Sequence, residues 1–420
     1  MPYENCDNCR KCYPCPVTSS DKNEGAYPIT QDTGDMWYCT SCFYCEDVCP
    51  ENSPRQYAID KRRKTGCSTD RMNQPLFQLK EHGSLFPISS DINELRSDRS
   101  LPIVPEIDKS EIKILYDSIL NPSSVKTSSV NQRNKIICNK ENESKIALFL
   151  GCLIPYRVHD YERTTREIMD TLSISYCDLP FSCCGSVMAE SHSEDLWLVS
   201  AAYNLALAEE NGIETIITIC GGCAGNLRRV NQTLLSNNRL LAKVNSYLSN
   251  INKKYQGSII VQHFSEFLLN EERLGKLATM LKDEQKISLQ KLNASIQVPC
   301  QVIRPKSTSP NAKLESNLLK NLLRPIEINL VDYPFETLCC GSSILQYDVP
   351  LAHKIAKKRI DSLKKRKVDA LILGCGNCSM NYTVHQNEYN DEILPTFFFT
   401  EIIAYALGYP NDDLSELLKT

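Results

Sequence analysis

Two short stretches, FSCCGSVMAE (181–190) and LCCGSSILQY (338–347), each set two cysteines side by side ahead of a glycine. Adjacent cysteines pair poorly with each other, because a disulfide needs Cβ atoms that converge at a defined separation. Two neighbouring sulfurs followed by a residue free to take a positive φ suit a loop wrapped tightly around a sulfur-bound group. The surroundings of the two pairs repeat. Cys152 stands 30 residues before Cys183-Cys184-Gly185, and Cys220-Gly-Gly-Cys223 follows after 35 more. In the second half Cys300 stands 38 residues before Cys339-Cys340-Gly341, and Cys375-Gly-Asn-Cys378 follows after 34 more. Five thiols per half exceed the four that one zinc ion or one cubic cluster takes. A spare sulfur or a larger cluster is implied, with a redox-active cysteine pair or a merely buried fifth thiol as the alternatives.

A different spacing fills the N-terminus. CTSCFYCEDVCP carries Cys39, Cys42, Cys45 and Cys49 as C-x2-C-x2-C-x3-C-P. This is the bacterial ferredoxin run, in which the fourth cysteine serves the other cluster. CDNCRKCYPCP carries Cys6, Cys9, Cys12 and Cys15, with its last spacing one residue short. Cys6, Cys9 and Cys12 with Cys49 are therefore expected at one ferredoxin-type 4Fe–4S cluster. Cys39, Cys42 and Cys45 with Cys15 are expected at the second, where the shortened spacing leaves Cys15 open. Closed zinc sites are the competing reading, although zinc gains nothing from the third and fourth close cysteines.

These residues must be held by ordered elements. KIALFLG (145–151) is a short apolar run ended by glycine, which predicts a buried strand delivering Cys152. IETIITICGGC and VDALILGCGNC are matching aliphatic strands running into C-G-x-C. VQHFSEFLL and FFFTEIIAYAL each predict a strand leaving through Ser265 or Thr400, as N-cap, into an amphipathic helix. Helical patterns separate the pairs from the C-G-x-C motifs, SEDLWLVSAAYNLALAEENG in one half and DVPLAHKIAKKRIDSLKKRK in the other. Alternating strands and helices give an α/β class, with a helical ferredoxin-type domain followed by two duplicated α/β domains. The expected boundaries are 1–66 for the ferredoxin-type domain, 67–144 for a helical and linker region, and 145–285 and 286–420 for the two repeats. The polar stretch NPSSVKTSSVNQRNK reads as the linker.

Composition narrows the class. A formal net charge of −4 argues against nucleic acid as the main partner. With 420 residues the chain can bury a core without disulfides, so its 21 cysteines point to thiolates held on metal in a reducing cytoplasm. No secretory leader is visible, and no apolar run reaches the length of a membrane span. Membrane association would run through a partner subunit. No nucleotide-binding glycine motif is present, so no flavin or nucleotide is expected in this chain.

The ten-cysteine constellation over residues 145–420 resembles the catalytic B subunit of heterodisulfide reductase, with its two CCG domains. WYCTSCFYCEDVCP resembles the second ferredoxin run of the C subunit, and the fused order resembles the D subunit of the membrane-linked enzyme. The resemblance implies two noncubane 4Fe–4S clusters. Cys152, Cys183, Cys184, Cys220 and Cys223 would hold one; Cys300, Cys339, Cys340, Cys375 and Cys378 would hold the other. A disulfide such as CoM-S-S-CoB would be cleaved between them. It also implies an electron partner, either a flavoprotein like the A subunit or a membrane b-type cytochrome like the E subunit. Gln301 stands where the resemblance leads one to expect histidine after the cysteine, which implies an altered substrate pocket. Iron–sulfur subunits of flavin-linked 2-hydroxyacid dehydrogenases, of the glycolate oxidase type, also join ferredoxin runs to CCG motifs. Electron transfer without a substrate site is therefore the competing function.

Other residues carry weaker signals. Cys67, Cys138 and Cys177 fall outside the motifs and read as buried or idle thiols. His159, His192, His263 and His353 are candidate proton donors, His263 first among them, with packing or surface roles as the plainer reading. The basic stretch KRRK (61–64) reads as surface or partner-docking, and KKRIDSLKKRK (357–367) as a solvated helix end with an option on an anionic thiol.

Overall fold

Short β-branched and aliphatic runs that must be buried on both faces become parallel strands, and the longer periodic runs between them become the crossover helices. The computed structural model describes residues 6, 9–51, 54–66, 70–86, 91–121, 136–139, 144–389 and 393–419. Cys67 and the polar stretch after Asn121 lie outside them. The chain divides into two units, one of 62–163 with 173–263, the other of 1–61 with 164–172 and 264–420.

The first of these units holds strands β1 (Ile137–Cys138), β2 (Ile146–Phe149), β3 (Cys177–Asp178), β4 (Thr215–Thr218) and β5 (Ile260–His263), ordered β1-β3-β2-β4-β5. All pairs are parallel except β1 with β3. Helix Glu194–Glu210 is apolar nearly all round, which suits its burial from Leu196 to Ala208. Ser193 caps it, accepting from the Leu196 amide at 2.9 Å. Helices Ile92–Ser97 and Lys109–Leu120, from the helical part of the 67–144 region, belong to this unit and are packed into it. Arg96 of the first forms a two-pronged ion pair with Glu162, 2.7 Å on each arm, and both side chains are almost fully buried. In the second, Tyr116 donates to Ser200 at 3.0 Å, and Glu111 accepts from Tyr203 at 2.9 Å.

The other unit holds β6 (Asn293–Gln297), β7 (Asn329–Leu330), β8 (Ala370–Leu373) and β9 (Thr396–Phe398), all parallel and ordered β7-β6-β8-β9. This is the order β3-β2-β4-β5 of the first sheet, as a duplication requires. The cysteine-bearing N-terminal segment packs into the same unit. Cys12, Cys15, Val17, Ala26 and Cys45 share an apolar core with Ile344, Leu351, Ala352 and Ile355. Tyr38 donates to Asp348 at 3.0 Å, and Lys358 donates to the Ser19 carbonyl at 2.7 Å.

Three expectations need correcting. Cys138 and Cys177 are not idle thiols: they face each other across the β1–β3 pair and are joined in a disulfide. Neither Ser265 nor Thr400 is an N-cap, because their helices start at Phe264 and Phe399. Glu401 accepts the Phe398 amide at 2.8 Å, and Thr400 is buried against Thr164 at 2.7 Å. The basic stretches are only partly solvated. Arg62 donates to the Ser191 hydroxyl and Arg63 to the Glu190 carbonyl, and Arg359 is fully buried. Among the described residues no helix is long and apolar enough to cross a membrane.

Candidate metal centres

In an open parallel sheet, groups that follow the carboxyl ends of neighbouring strands converge. Cys152 follows β2, Cys183-Cys184 follow β3, and Cys220 follows β4 as the N-cap of helix Gly221–Ser236. The second unit repeats this: Cys300 follows β6, Cys339-Cys340 follow β7, and Cys375 follows β8. The thiols meet in rows. Cys183 Sγ lies 3.4 Å from Cys152 Sγ, and Cys184 Sγ lies 3.6 Å from Cys223 Sγ. Cys183 bonds Cys184, and Cys223 bonds Cys220. The other row runs in the same order, Cys300 to Cys339 to Cys340 to Cys378 to Cys375. In both, the second cysteine of the adjacent pair stands in the middle. Hydrogen bonds from Cys183 and Cys223 hold the Cys184 thiol well below the usual thiol range, and those from Cys339 and Cys378 do the same for Cys340.

Gly185 and Gly341 have φ of +84° and +90°. A Cβ on Gly185 would lie 2.7 Å from the Ser200 Cβ, and one on Gly341 would lie 3.0 Å from Ile355. Glycine there is needed for both conformation and space. Sequence reading missed what fixes the carbonyls of the pair. Asn226 donates to the Cys184 carbonyl at 2.6 Å, and Asn381 donates to the Cys340 carbonyl at 2.6 Å. Each follows its C-G-x-C by three residues, so C-G-x-C-x-x-N was readable as a repeated motif. Asn204 donates to the Cys183 carbonyl, and Arg359 to that of Cys339. The arginine lay hidden within a run of exposed bases.

At the N-terminus, Cys15, Cys39, Cys42 and Cys45 all line one cavity of about 350 Å³. Cys12 has Cys15, Cys49 and Cys6 as neighbouring thiols, while Cys9 is exposed. Cys6 accepts from Gln31 at 3.4 Å. Among the described residues no three metal-binding side chains close on one point as they would around a single ion. Rows of thiols and a thiol-lined cavity fit a multi-iron body better than zinc. Burial pushes the Cys12 thiol up to about 12 and that of Cys15 to about 11. Both are therefore protonated at neutral pH, and metal must displace those protons. Anaerobic loading should run faster at about pH 9 than at about pH 7 and release protons into a weakly buffered solution. Loading without proton release would mean that these thiols are not the ligands.

The second ferredoxin-type loop meets the second row directly. Cys42 hydrogen-bonds Cys339, which with burial raises the Cys42 thiol well above its usual value. Gln301 donates to the Ser41 carbonyl at 3.1 Å, and Ser343 donates to the Thr40 carbonyl at 3.0 Å. Asp47 accepts from the Lys306 amide at 2.9 Å and lies 3.6 Å from Arg304. Gln301 thus holds this loop. The candidate histidines have quieter places. His263 and His353 are buried, and His159 and His192 are half-buried with pKa values lowered by burial. The His159 ring nitrogen lies 3.1 Å from the Pro155 carbonyl.

The cysteine-rich CCG domain model matches residues 146–228 and 294–382. The B subunit of a ferredoxin:CoB-CoM heterodisulfide reductase from Methanosarcina mazei is 27% identical over 284 residues, covering 64% of this chain and 92% of the relative. The B subunit of a CoM/CoB fumarate reductase from Methanothermobacter marburgensis is 24% identical over 352 residues, covering 82% of this chain and 56% of the relative. A solved structure of a hypothetical protein from Helicobacter pylori superposes with a TM-score of 0.53 at 17% identity, over 73% of this chain and 59% of that one. That last likeness is one of fold alone. The chain carries two cysteine-rich CCG domains and is homologous to proteins of the heterodisulfide reductase B-subunit type. With relatives named as reductase subunits, this supports an iron–sulfur oxidoreductase working with partner subunits.

Proposed function

We propose that this chain, with its two CCG domains and its kinship to the B subunits of heterodisulfide reductases, is the catalytic iron–sulfur subunit of a heterodisulfide-reductase-type complex. The reaction is R–S–S–R′ + 2e⁻ + 2H⁺ → R–SH + R′–SH, or its reverse, on a mixed thiol disulfide such as CoM-S-S-CoB. Completeness supports this reading most: each half brings all five thiols together, in the same order. The ten thiolates would hold two noncubane 4Fe–4S clusters. Cys6, Cys9, Cys12 and Cys49, and Cys39, Cys42, Cys45 and Cys15, would hold two ferredoxin-type clusters. Bound there, iron–sulfur clusters supply the one-electron chemistry that opens an S–S bond two electrons at a time.

The residues of the chain prepare that chemistry. Gly185 and Gly341 let the backbone turn close to the thiols, and Asn226 and Asn381 fix the carbonyls behind Cys184 and Cys340. Contact between Cys42 and Cys339 makes the second row the point at which the ferredoxin-type module joins the CCG region. Gln301 and Ser343 keep that junction closed. Gln301→Leu should lower stability by about 1 kcal/mol. It should also slow the passage of electrons from the ferredoxin-type signals to the CCG signals several-fold, read by freeze-quench paramagnetic resonance. Unchanged passage would remove Gln301 from the junction. Electrons would reach the chain from a flavoprotein or a membrane b-type cytochrome.

A second reading is electron transfer without a substrate site, in a flavin-linked dehydrogenase; a relative named as the membrane anchor subunit of an 8-methylmenaquinol:fumarate reductase from Wolinella succinogenes, 23% identical over 279 residues, favours it. The cluster-loaded chain, reduced with a viologen dye and given a mixed disulfide, separates the two. Dye oxidation with two thiols formed per disulfide supports the first reading. A loaded chain that leaves the dye reduced supports the second.

A further inference from the structure

The two CCG domains differ at one matched position. Helices Glu194–Glu210 and Val349–Lys364 are capped by Ser193 and Asp348, and eleven residues after each cap stands a side chain that reaches back to its cysteine pair. Asn204 donates to the Ser200 carbonyl, one turn back, at 3.0 Å, and to the Cys183 carbonyl at 3.4 Å. Arg359 makes the same two bonds, to the Ile355 carbonyl at 2.7 Å and to that of Cys339. The backbone task is the same, but the second domain performs it with a permanent positive charge.

That charge is buried without an opposite one. Arg359 is fully buried, and among the described residues no carboxylate pairs with it. Asp361, two residues on, lies 3.3 Å from Lys357, and Glu336, next to Phe335, lies 3.2 Å from Lys320. The Phe335 ring, centred 5.2 Å from the guanidinium carbon, and the two carbonyls offer partial charges only. Tyr333 and Tyr382 donate their hydroxyls to Gln297, both at 2.8 Å, and burial keeps both neutral. The Arg359 Nε has no hydrogen-bond partner among the described residues. A fixed cation in the interior is costly unless an opposite charge meets it.

The row of thiols can meet it. The guanidinium is bonded to the backbone of Cys339, which stands between Cys300 and Cys340 in the row. Metal binding turns such thiols into thiolates. We infer that Arg359 is the counter-charge of the metal-loaded second row, and that it makes the second CCG site easier to reduce than the first, where Asn204 is neutral. Each electron added to a site raises its negative charge, and a buried cation favours that state. The second row is also the one that Cys42 meets, so an electron arriving from the ferredoxin-type module is favoured at the site it reaches first. The inference rests on the reading that these cysteines hold clusters, and not on what the sites reduce.

The test is a redox titration of the full, cluster-loaded chain, followed by paramagnetic resonance. Arg359→Gln keeps a donor and removes the charge; Arg359→Lys keeps the charge. In Arg359→Gln one of the two CCG couples should become harder to reduce by about tenfold in its one-electron equilibrium, or ~59 mV, with the other couple moved less. Arg359→Lys should stay close to the natural chain. Chemical denaturation with and without metal separates charge from simple packing: Arg359→Gln should cost the loaded chain more stability than the metal-free chain, in which the cation has nothing to neutralise. A couple unmoved in Arg359→Gln, or moved equally in Arg359→Lys, overturns the inference, as does a loss of stability that is the same with and without metal. A shifted couple in a chain that turns over no disulfide keeps the assignment of Arg359 and overturns the reductase reading. CCG sites that take up no iron overturn both.

Discussion

Cys184→Ser and Cys340→Ser should each abolish disulfide turnover while leaving the ferredoxin-type signals intact. Each cysteine stands at the centre of its row, bonded to a thiol on either side, with its backbone carbonyl held by an asparagine. Those bonds favour the thiolate, the form that binds metal. A serine hydroxyl stays protonated at the same pH and offers no equivalent donor. The loss should exceed the 10–100-fold typical of residues that only support metal ligands. Dye-linked turnover measures it, and the retained ferredoxin-type spectrum shows that the chain still folds and loads. A variant with full turnover would mean that five-thiol ligation is wrong. Asn226→Leu and Asn381→Leu should fall inside the 10–100-fold range.

Arg96→Met should cost about 3–5 kcal/mol, because it strands a carboxylate in the interior. Glu162 is fully buried, and its two oxygens are matched by two guanidinium nitrogens at 2.7 Å. The same guanidinium holds Pro102 and Pro155 by their carbonyls, so its loss also frees the segment leading to Val104. Chemical denaturation measures the effect. Adding Glu162→Gln to Arg96→Met should recover part of the loss, since a neutral amide is cheaper to bury than an unpaired carboxylate. A loss under about 1 kcal/mol would place this pair among ordinary solvent-exposed bridges.

Much of the architecture was legible because it obeys period and punctuation. The run before Cys152 became β2, IETIIT became β4, and the two periodic stretches became helices capped by Ser193 and Asp348. The repeated spacing set five cysteines in each half, the resemblance implied that each five share a site, and the structure lines them up because strand ends in a parallel sheet converge. What stayed hidden depends on partners distant in sequence. Gln301 reaches a carbonyl 260 residues away, and Arg359 turns inward from a helix whose Lys354, Lys357 and Lys358 are exposed. Cys138 and Cys177 pair only because β1 runs antiparallel to β3, a register that no spacing encodes. The caps at Ser265 and Thr400 failed for a local reason: each helix starts one residue earlier, at Phe264 and Phe399, so both hydroxyls already lie in the first turn. Asn226 and Asn381 were within reach and needed only the two halves laid one on the other.

The most direct test is the iron and sulfide content of the anaerobically prepared chain, together with its paramagnetic resonance spectrum with and without added thiol. Four clusters of four irons require about sixteen iron atoms per chain, and a signal from the CCG sites that changes when thiol is added. About eight iron atoms, with ferredoxin-type signals only and no response to thiol, would contradict a disulfide-cleaving site built from these ten cysteines.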